Sequence, residues 1–352
     1  MNTAVNLDDR HIIDLYDSQK MIEILHDFPN HCSNAYLHSK KIEPTPLKNN
    51  INNIIVLGMG GSSIAGDMLK NTLLSELAVP IIVNRDYDIP HFVNENTLAL
   101  VVSYSGETEE TLSAFNQALE KKANIITFST GGALKEASLK NNIYHVELPL
   151  GFMPRAALAY LFFPLLETLI KLKLISNKDK EIEELFNLLK FLHKSWKFDI
   201  PTEQNLAKKL AQRFYNKIPV IYTNSGYLES VALRWKNQIN ENSKALAHIN
   251  CFPEILHNEV AAYTKNISVY ENLSVLFLID PEYKNVTRQV ISLKQIIQNY
   301  LPIMELNPLG DLPLEKMISL TYLGDFVSVY LAYLYQQDPT PIQLIERIKS
   351  KR

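Results

Sequence analysis

Cysteine and glycine are both scarce in this chain: two cysteines and 11 glycines in 352 residues. Cys32 and Cys251 lie far apart without metal-like spacing, which excludes a disulfide-stapled scaffold and a cysteine-rich metal site. Charge of one sign is lacking too. Lysine and arginine number 35 against 38 acidic residues, for a net charge of −3, so bulk charge draws the chain neither to nucleic acid nor to an anionic membrane. The most apolar run, Leu158–Leu166, is cut short by Glu167, so no segment is expected to cross a bilayer. Asp8, Asp9, Asp14 and Asp17 come too early for a secretory leader. The Asn-Xaa-Ser/Thr triplets at Asn266, Asn272 and Asn285 are then chance matches, and a cytoplasmic location is expected.

What is present is alternation. Helix-like text runs from Asp8 to Lys40 and stops before Pro44 and Pro46. Short apolar runs follow at Asn53–Leu57, Ile81–Asn84, Leu98–Ser103, Ile125–Ser129 and Tyr144–Leu148, separated by helical stretches such as Ser63–Leu77, Glu107–Lys122 and Gly132–Lys140. This pattern predicts parallel strands with helices on both faces. Eight of the glycines lie between Gly58 and Gly151, mostly just after predicted strands, where a ligand can meet open backbone amides. A long apolar helix is expected over Arg155–Lys173, and a charged connector over Ser176–Glu184. A second α/β unit follows, with strands at Pro219–Thr223, Leu273–Ile279 and Ile303–Leu306 and helices at Tyr227–Glu241, Val286–Asn299 and Leu314–Tyr335. The expected domains are an N-terminal helical segment (1–40), a first α/β domain (41–175), a helical connector (176–216) and a second α/β domain with a C-terminal helix (217–352).

Two motifs carry chemistry. Gly58-Met-Gly-Gly-Ser-Ser63 follows a strand and opens a helix, where free amides and the helix dipole favour a phosphate. A dinucleotide site is the rival, with Asp86 after the next strand, but Ser63 stands where that fingerprint needs glycine or alanine. A plain tight turn would also suffice. Ser103-Tyr-Ser-Gly-Glu-Thr-Glu-Glu-Thr111 is more specific. Ser103, Ser105, Thr108 and Gly106 crowd a helix start, where hydroxyls and amides can hold a phosphate dianion without a cation. One N-cap needs only one hydroxyl. Glu107 and Glu109 would repel an anion and must therefore face away from it.

Val101–Leu112 resembles the phosphosugar-binding signature of sugar isomerase (SIS) domains. Together with Asn53–Asp67, Gly151-Phe-Met-Pro-Arg155, Lys236-Asn-Gln-Ile-Asn-Glu-Asn242, Leu256-His-Asn-Glu259 and Asp338-Pro-Thr-Pro341 through Lys349, it is similar to the bifunctional phosphoglucose/phosphomannose isomerase family over nearly the whole chain. The resemblance implies two SIS-type domains, each a parallel sheet flanked by helices in a flavodoxin-like, doubly wound arrangement. It also implies aldose–ketose isomerisation of a phosphorylated hexose through a cis-enediol. By itself Glu241 reads as a solvated glutamate at a helix end; the resemblance makes it the base moving a proton between C2 and C1. His257, otherwise one histidine of nine, becomes the ring-opening acid/base, working with Lys349 and entering from a partner subunit, so that a homodimer shares its active sites. Arg155, otherwise a helix-start residue, becomes the group that stabilises the enediolate.

Lys349 alone would pass for part of a solvated tail. Ser62, Ser63, Ser103, Ser105 and Thr108 are the phosphate-binding candidates. Gly60, Gly61 and Thr340 are further candidates for substrate contact, Thr340 near C2–C3. The family commonly shows one serine and a small residue where this chain has Ser62-Ser63; Ser62 is favoured for the phosphate. No cofactor is expected. No histidine/carboxylate cluster has metal-ligand spacing, which argues against a zinc-dependent isomerase. Alternatives from other classes are a non-catalytic sugar-phosphate sensor, which would need a DNA-binding domain, and an amidotransferase, which would need an N-terminal cysteine nucleophile.

Overall fold

The computed structural model describes residues 5–263 and 267–349. The chain forms two compact units, one of residues Phe28–Phe186, the other combining the chain up to Asp27 with everything from Asn187 onward. The boundaries therefore fall inside the N-terminal helical stretch and again within 176–216.

In the Phe28–Phe186 unit the strands are β1 (Asn53–Leu57), β2 (Ile81–Asn84), β3 (Thr97–Val102), β4 (Asn124–Ser129) and β5 (Tyr144–Glu147). All pair in parallel, in the order β2-β1-β3-β4-β5. This is the flavodoxin-like order, not the 3-2-1-4-5-6 order of the dinucleotide fold, and its ligand crevice lies where β1 and β3 diverge at their carboxyl ends. β3 is buried at every residue, as a central strand covered on both faces must be.

The other unit holds β6 (Ile218–Asn224), β7 (His248–Phe252), β8 (Leu273–Leu278) and β9 (Ile303–Leu306), also parallel, in the order β7-β6-β8-β9. This repeats the first four positions of the other sheet. β7 was not anticipated from the sequence. It is an edge strand with only Phe252 fully buried, so His248 and Asn250 break the apolar signal. The expected connector at Ser176–Glu184 is largely the start of a helix, Asp179–Leu192.

One apolar helix is longer than the Leu158–Leu166 run. The helix Pro313–Leu334 is long and apolar enough, by length and composition, to cross a membrane. Its most apolar stretch is wholly buried, and the helix carries Asp325, itself buried and ion-paired. The helix is the core element around which that unit packs.

Candidate active site

In the Phe28–Phe186 unit, β1 ends at Leu57 and the next helix begins at Gly60. Gly61 permits a close approach: a Cβ there would lie 2.7 Å from the Pro154 carbonyl oxygen and 2.9 Å from the Arg155 nitrogen. The Gly151–Arg155 segment thus packs on the first turn of this helix. Arg155 sits in a turn ahead of the apolar helix, which starts at Leu158 rather than at Arg155, and its side chain is buried. Gly106, at φ +76, brings its loop against Gly131, whose carbonyl oxygen a Cβ would meet at 1.9 Å.

The hydroxyls converge on the same crevice. Ser62 Oγ accepts from the Tyr104 amide at 3.1 Å, tying the β1 loop to the β3 loop. Ser103 Oγ donates to Thr108 Oγ1 at 3.0 Å and accepts from the Gly106 amide at 3.2 Å. Ser105 is exposed and its Oγ accepts from the Glu107 amide at 3.2 Å. Ser63 Oγ donates to the Gly60 carbonyl and accepts from Arg85 Nε, both at 3.0 Å. Thr108 occupies the N-cap of the Glu109–Glu120 helix, and Met59 that of the Gly60–Thr72 helix, yet neither makes a side-chain cap bond. Capping therefore does not account for these hydroxyls, and both helix starts keep the amides that an anion can use. Glu107 turns away, its Oε1 accepting the Ala133 amide at 2.9 Å, while Glu109 is exposed. Tyr104 steadies the crevice by donating to the Pro149 carbonyl (2.7 Å) and accepting from the Phe152 amide (3.2 Å); burial pushes its phenol above the ordinary range.

Arg85, just past β2, went unnoticed in the sequence. Besides Ser63 it is ion-paired with Asp67, which places a guanidinium at the edge of the crevice.

In the second unit, Glu241 lies half-buried in the last turn of the Tyr227–Ser243 helix. It borders a cavity of about 470 Å³ that Lys244, Asp338, Ile342 and Ile345 also line. The helix is fixed along one face at i, i+4, i+8 spacing, the side that meets Pro313–Leu334. Arg234 makes a two-pronged bond to Asp325 (3.0 and 2.7 Å), Gln238 reaches Asp325 Oδ1 at 2.9 Å, and Asn242 reaches Ser328 Oγ at 2.9 Å. Trp235 Nε1 donates to the Leu320 carbonyl at 2.8 Å. Thr340 is buried and its amide bonds Asp338 Oδ1 at 2.9 Å.

His257 ends a short 3-10 turn, Glu254–His257, and is exposed. Its segment is anchored by Glu259, whose carboxylate receives Tyr222 Oη (2.6 Å), Asn250 Nδ2 (2.6 Å) and His248 Nε2 (3.1 Å). Burial works against ionisation of Glu259, but these donors outweigh it and hold the carboxyl below its ordinary range. Lys349 is exposed at the end of the Gln343–Lys349 helix. The structure thus gathers the serines, Thr108, Gly60, Gly61 and Arg155 in one unit, and Glu241, His257, Thr340 and Lys349 in the other. Among the described residues no group of three or more His, Cys, Asp or Glu is arranged to hold a metal ion.

A flavodoxin-ordered parallel sheet whose switch point carries hydroxyls and uncapped helix starts places the chain among α/β proteins of the SIS type. A family model described as a SIS domain matches residues 49–151, and one described as the bacterial phospho-glucose isomerase C-terminal SIS domain matches 203–351. A bifunctional phosphoglucose/phosphomannose isomerase of Caldicellulosiruptor bescii is 41% identical over 94% of this chain and 98% of its own. One of Aquifex aeolicus is 34% identical over 85% and 89%. The crystal structure of a glucose-6-phosphate isomerase-like protein from Thermus thermophilus covers 99% of this chain and 100% of its own, with a TM-score of 0.65 at 17% identity, which bears on the fold alone. The chain belongs to the bifunctional phosphoglucose/phosphomannose isomerase family, and with it to the sugar-phosphate isomerase class of enzymes.

Proposed function

We propose that this enzyme interconverts glucose 6-phosphate, mannose 6-phosphate or both with fructose 6-phosphate through a cis-enediol, without metal or organic cofactor. The observation that carries the reading is the crowd of hydroxyls at two helix starts that no side chain caps. Ser62, Ser103, Ser105 and Thr108 anchor the phosphate. Between the paired serines, Ser62 is the better donor: Ser63 already spends its proton on Gly60 and its lone pair on Arg85, whereas Ser62 uses only an acceptor position on Tyr104. Anchoring the phosphate applies remote binding energy to the placement of C1 and C2.

His257 with Lys349 opens the ring, and Glu241 carries the proton between C2 and C1. Arg155 stabilises the enediolate, where a permanently charged guanidinium meets developing oxyanion charge. Gly60, Gly61 and Thr340 line the sugar. The exposure of His257 suits a residue that serves the active site of a second copy, in a cytoplasmic homodimer with shared sites.

The test is deuterium exchange at C2 of glucose and mannose 6-phosphates and at C1 of fructose 6-phosphate, followed by NMR in the presence of EDTA, for the native protein and Glu241→Gln. Exchange that survives EDTA and vanishes in the variant is the expected result, and the product ratio reports glucose against mannose preference. Phosphate-dependent binding with no exchange for any of the three sugars would overturn the reading and leave a sugar-phosphate sensor.

A further inference from the structure

Lys244 is the residue that closes the Glu241-bearing helix, and its backbone is left-handed, φ 56 and ψ 32. Glycine or asparagine is the usual occupant of such a position, because a Cβ crowds the following carbonyl. Lys122 and Lys173 share this left-handed backbone just past other helices, so it is the contacts of the Lys244 side chain that set it apart. Its three N–H donors are shared among four carbonyl oxygens: Glu241 at 2.9 Å, Asn242 at 3.2 Å, Asp338 at 2.7 Å and Pro339 at 3.1 Å. Two of these are carbonyls of the last helical turn, which lack partners within the helix. The other two belong to the segment that leads into Thr340. One ammonium group therefore fastens the turn carrying Glu241 to the segment carrying Thr340, and its charge faces the negative end of the helix dipole.

The opposite side of the same turn is also held. Asn242 Nδ2 bonds Ser328 Oγ at 2.9 Å and Ser243 Oγ bonds the Ser328 carbonyl at 2.6 Å. Asn240 Nδ2 meets the Ala245 carbonyl at 2.7 Å, closing the chain just beyond the helix. Asp338, in turn, takes the Thr340 amide at 2.9 Å on one carboxylate oxygen and the Ser18 amide at 3.3 Å on the other. With Ser328 fixing one side, Lys244 bridges the other.

We infer that Lys244 is a positioning residue for the isomerase reaction: it holds the Glu241 turn and the Thr340 segment in a single geometry, so that the base and the sugar-lining loop do not move independently. The inference rests on the reading of Glu241 as the proton-transferring base. The four bonds named run to backbone oxygens of the second unit, whereas the phosphate-anchoring hydroxyls lie in the Phe28–Phe186 unit, so loss of Lys244 acts on placement.

The test uses full-length Lys244→Gly and Lys244→Cys, the latter before and after aminoethylation with 2-bromoethylamine, which rebuilds a lysine-length ammonium. Native protein treated in parallel controls for Cys32 and Cys251. Glycine suits the left-handed backbone, which favours folding of the first variant; should it fail to fold, the cysteine pair carries the test. The expected result is a roughly 10- to 100-fold fall in kcat, the size of loss a misplaced reacting group produces. The KM for fructose 6-phosphate should stay within about twofold, and aminoethylation of Lys244→Cys should recover most of the turnover. Native kcat in Lys244→Gly, or no recovery on aminoethylation, overturns the inference. Glu241→Gln is assayed beside them: if it is inactive while Lys244→Gly is native, only the positioning role fails, whereas an active Glu241→Gln removes the base and the inference together.

Discussion

The two sheets share a strand order but not what lies at their switch points. Between β1 and β3 the crevice is lined by hydroxyls and helix starts without caps. Between β6 and β8 the equivalent place is filled by the protein's own charges. Tyr227 and Lys316 both bond the carboxylate of Asp280, Lys316 at 3.2 Å and also to Glu282, and the Asp280 amide is taken by Asn224 at 2.8 Å. One topology thus yields a hydroxyl-lined cradle in one unit and an ion-pair cluster in the other. The candidate chemistry of the second unit has moved to the far end of the helix that leaves its switch point, at Glu241. Fold gives the location of a crevice; the side chains that enter it decide whether a ligand can.

The sharpest way to break this comparison is to attack what holds each unit. Asp325 and Arg234 are both almost fully buried. Removing one partner leaves the other charged and buried, which costs about 3–5 kcal/mol. Asp325→Leu should therefore lower the urea midpoint by a large margin, and Arg234→Met added to it should restore much of the loss. If Asp325→Leu unfolds like the native protein, the polar seam is not what fixes the Glu241 helix.

In the cradle the same kind of change should leave stability nearly intact and appear in binding. Ser103→Ala with Thr108→Val removes hydroxyls that no helix cap depends on. Each lost hydrogen bond to a charged group is worth about 1.5–3 kcal/mol. KM for the sugar phosphate should rise by at least tenfold, with an unfolding midpoint close to native. A midpoint that falls as far as in Asp325→Leu would erase the distinction between a hydroxyl-lined cradle and an ion-paired core.

This contrast also explains what the sequence disclosed. The cradle was legible because its residues are consecutive: Gly58–Ser63 and Ser103–Thr111 each follow a strand, and strand-loop-helix text is readable locally. The parallel-sheet class was legible for the same reason. The seam of Arg234, Gln238 and Asn242 was not, since their partners lie 86 to 91 positions away and nothing local distinguishes a buried arginine from a solvated one. A lone aspartate in the apolar Leu314–Tyr335 text was the available signal. Lys244 was invisible because its role is read from backbone carbonyls, and β7 because an edge strand keeps polar residues. Arg85, at the exposed tip of β2, offered only a charge after a strand. The roles proposed for Glu241, His257, Arg155 and Lys349 came from family likeness, because a helix-terminal glutamate and an exposed histidine carry no local mark of chemistry.

The smallest predicted effect concerns the segment bearing His257. Glu259 anchors it with three donors, two from β7 and one from β6. Its carboxyl is held below the ordinary value of 4.5 by those bonds despite its burial. A carboxyl depressed in the folded state contributes stability above its unfolded pKa and loses that contribution as pH falls through the folded value. The native protein should therefore lose part of its urea resistance as pH drops below the ordinary glutamate range. Glu259→Gln starts lower at neutral pH, because an amide cannot accept three donors, and should show a shallower decline on acidification. The two curves should converge in acid. Parallel curves would mean that other carboxylates carry the acid sensitivity, and that the His257 segment is fixed by packing of Tyr222 and Tyr263 rather than by the Glu259 charge.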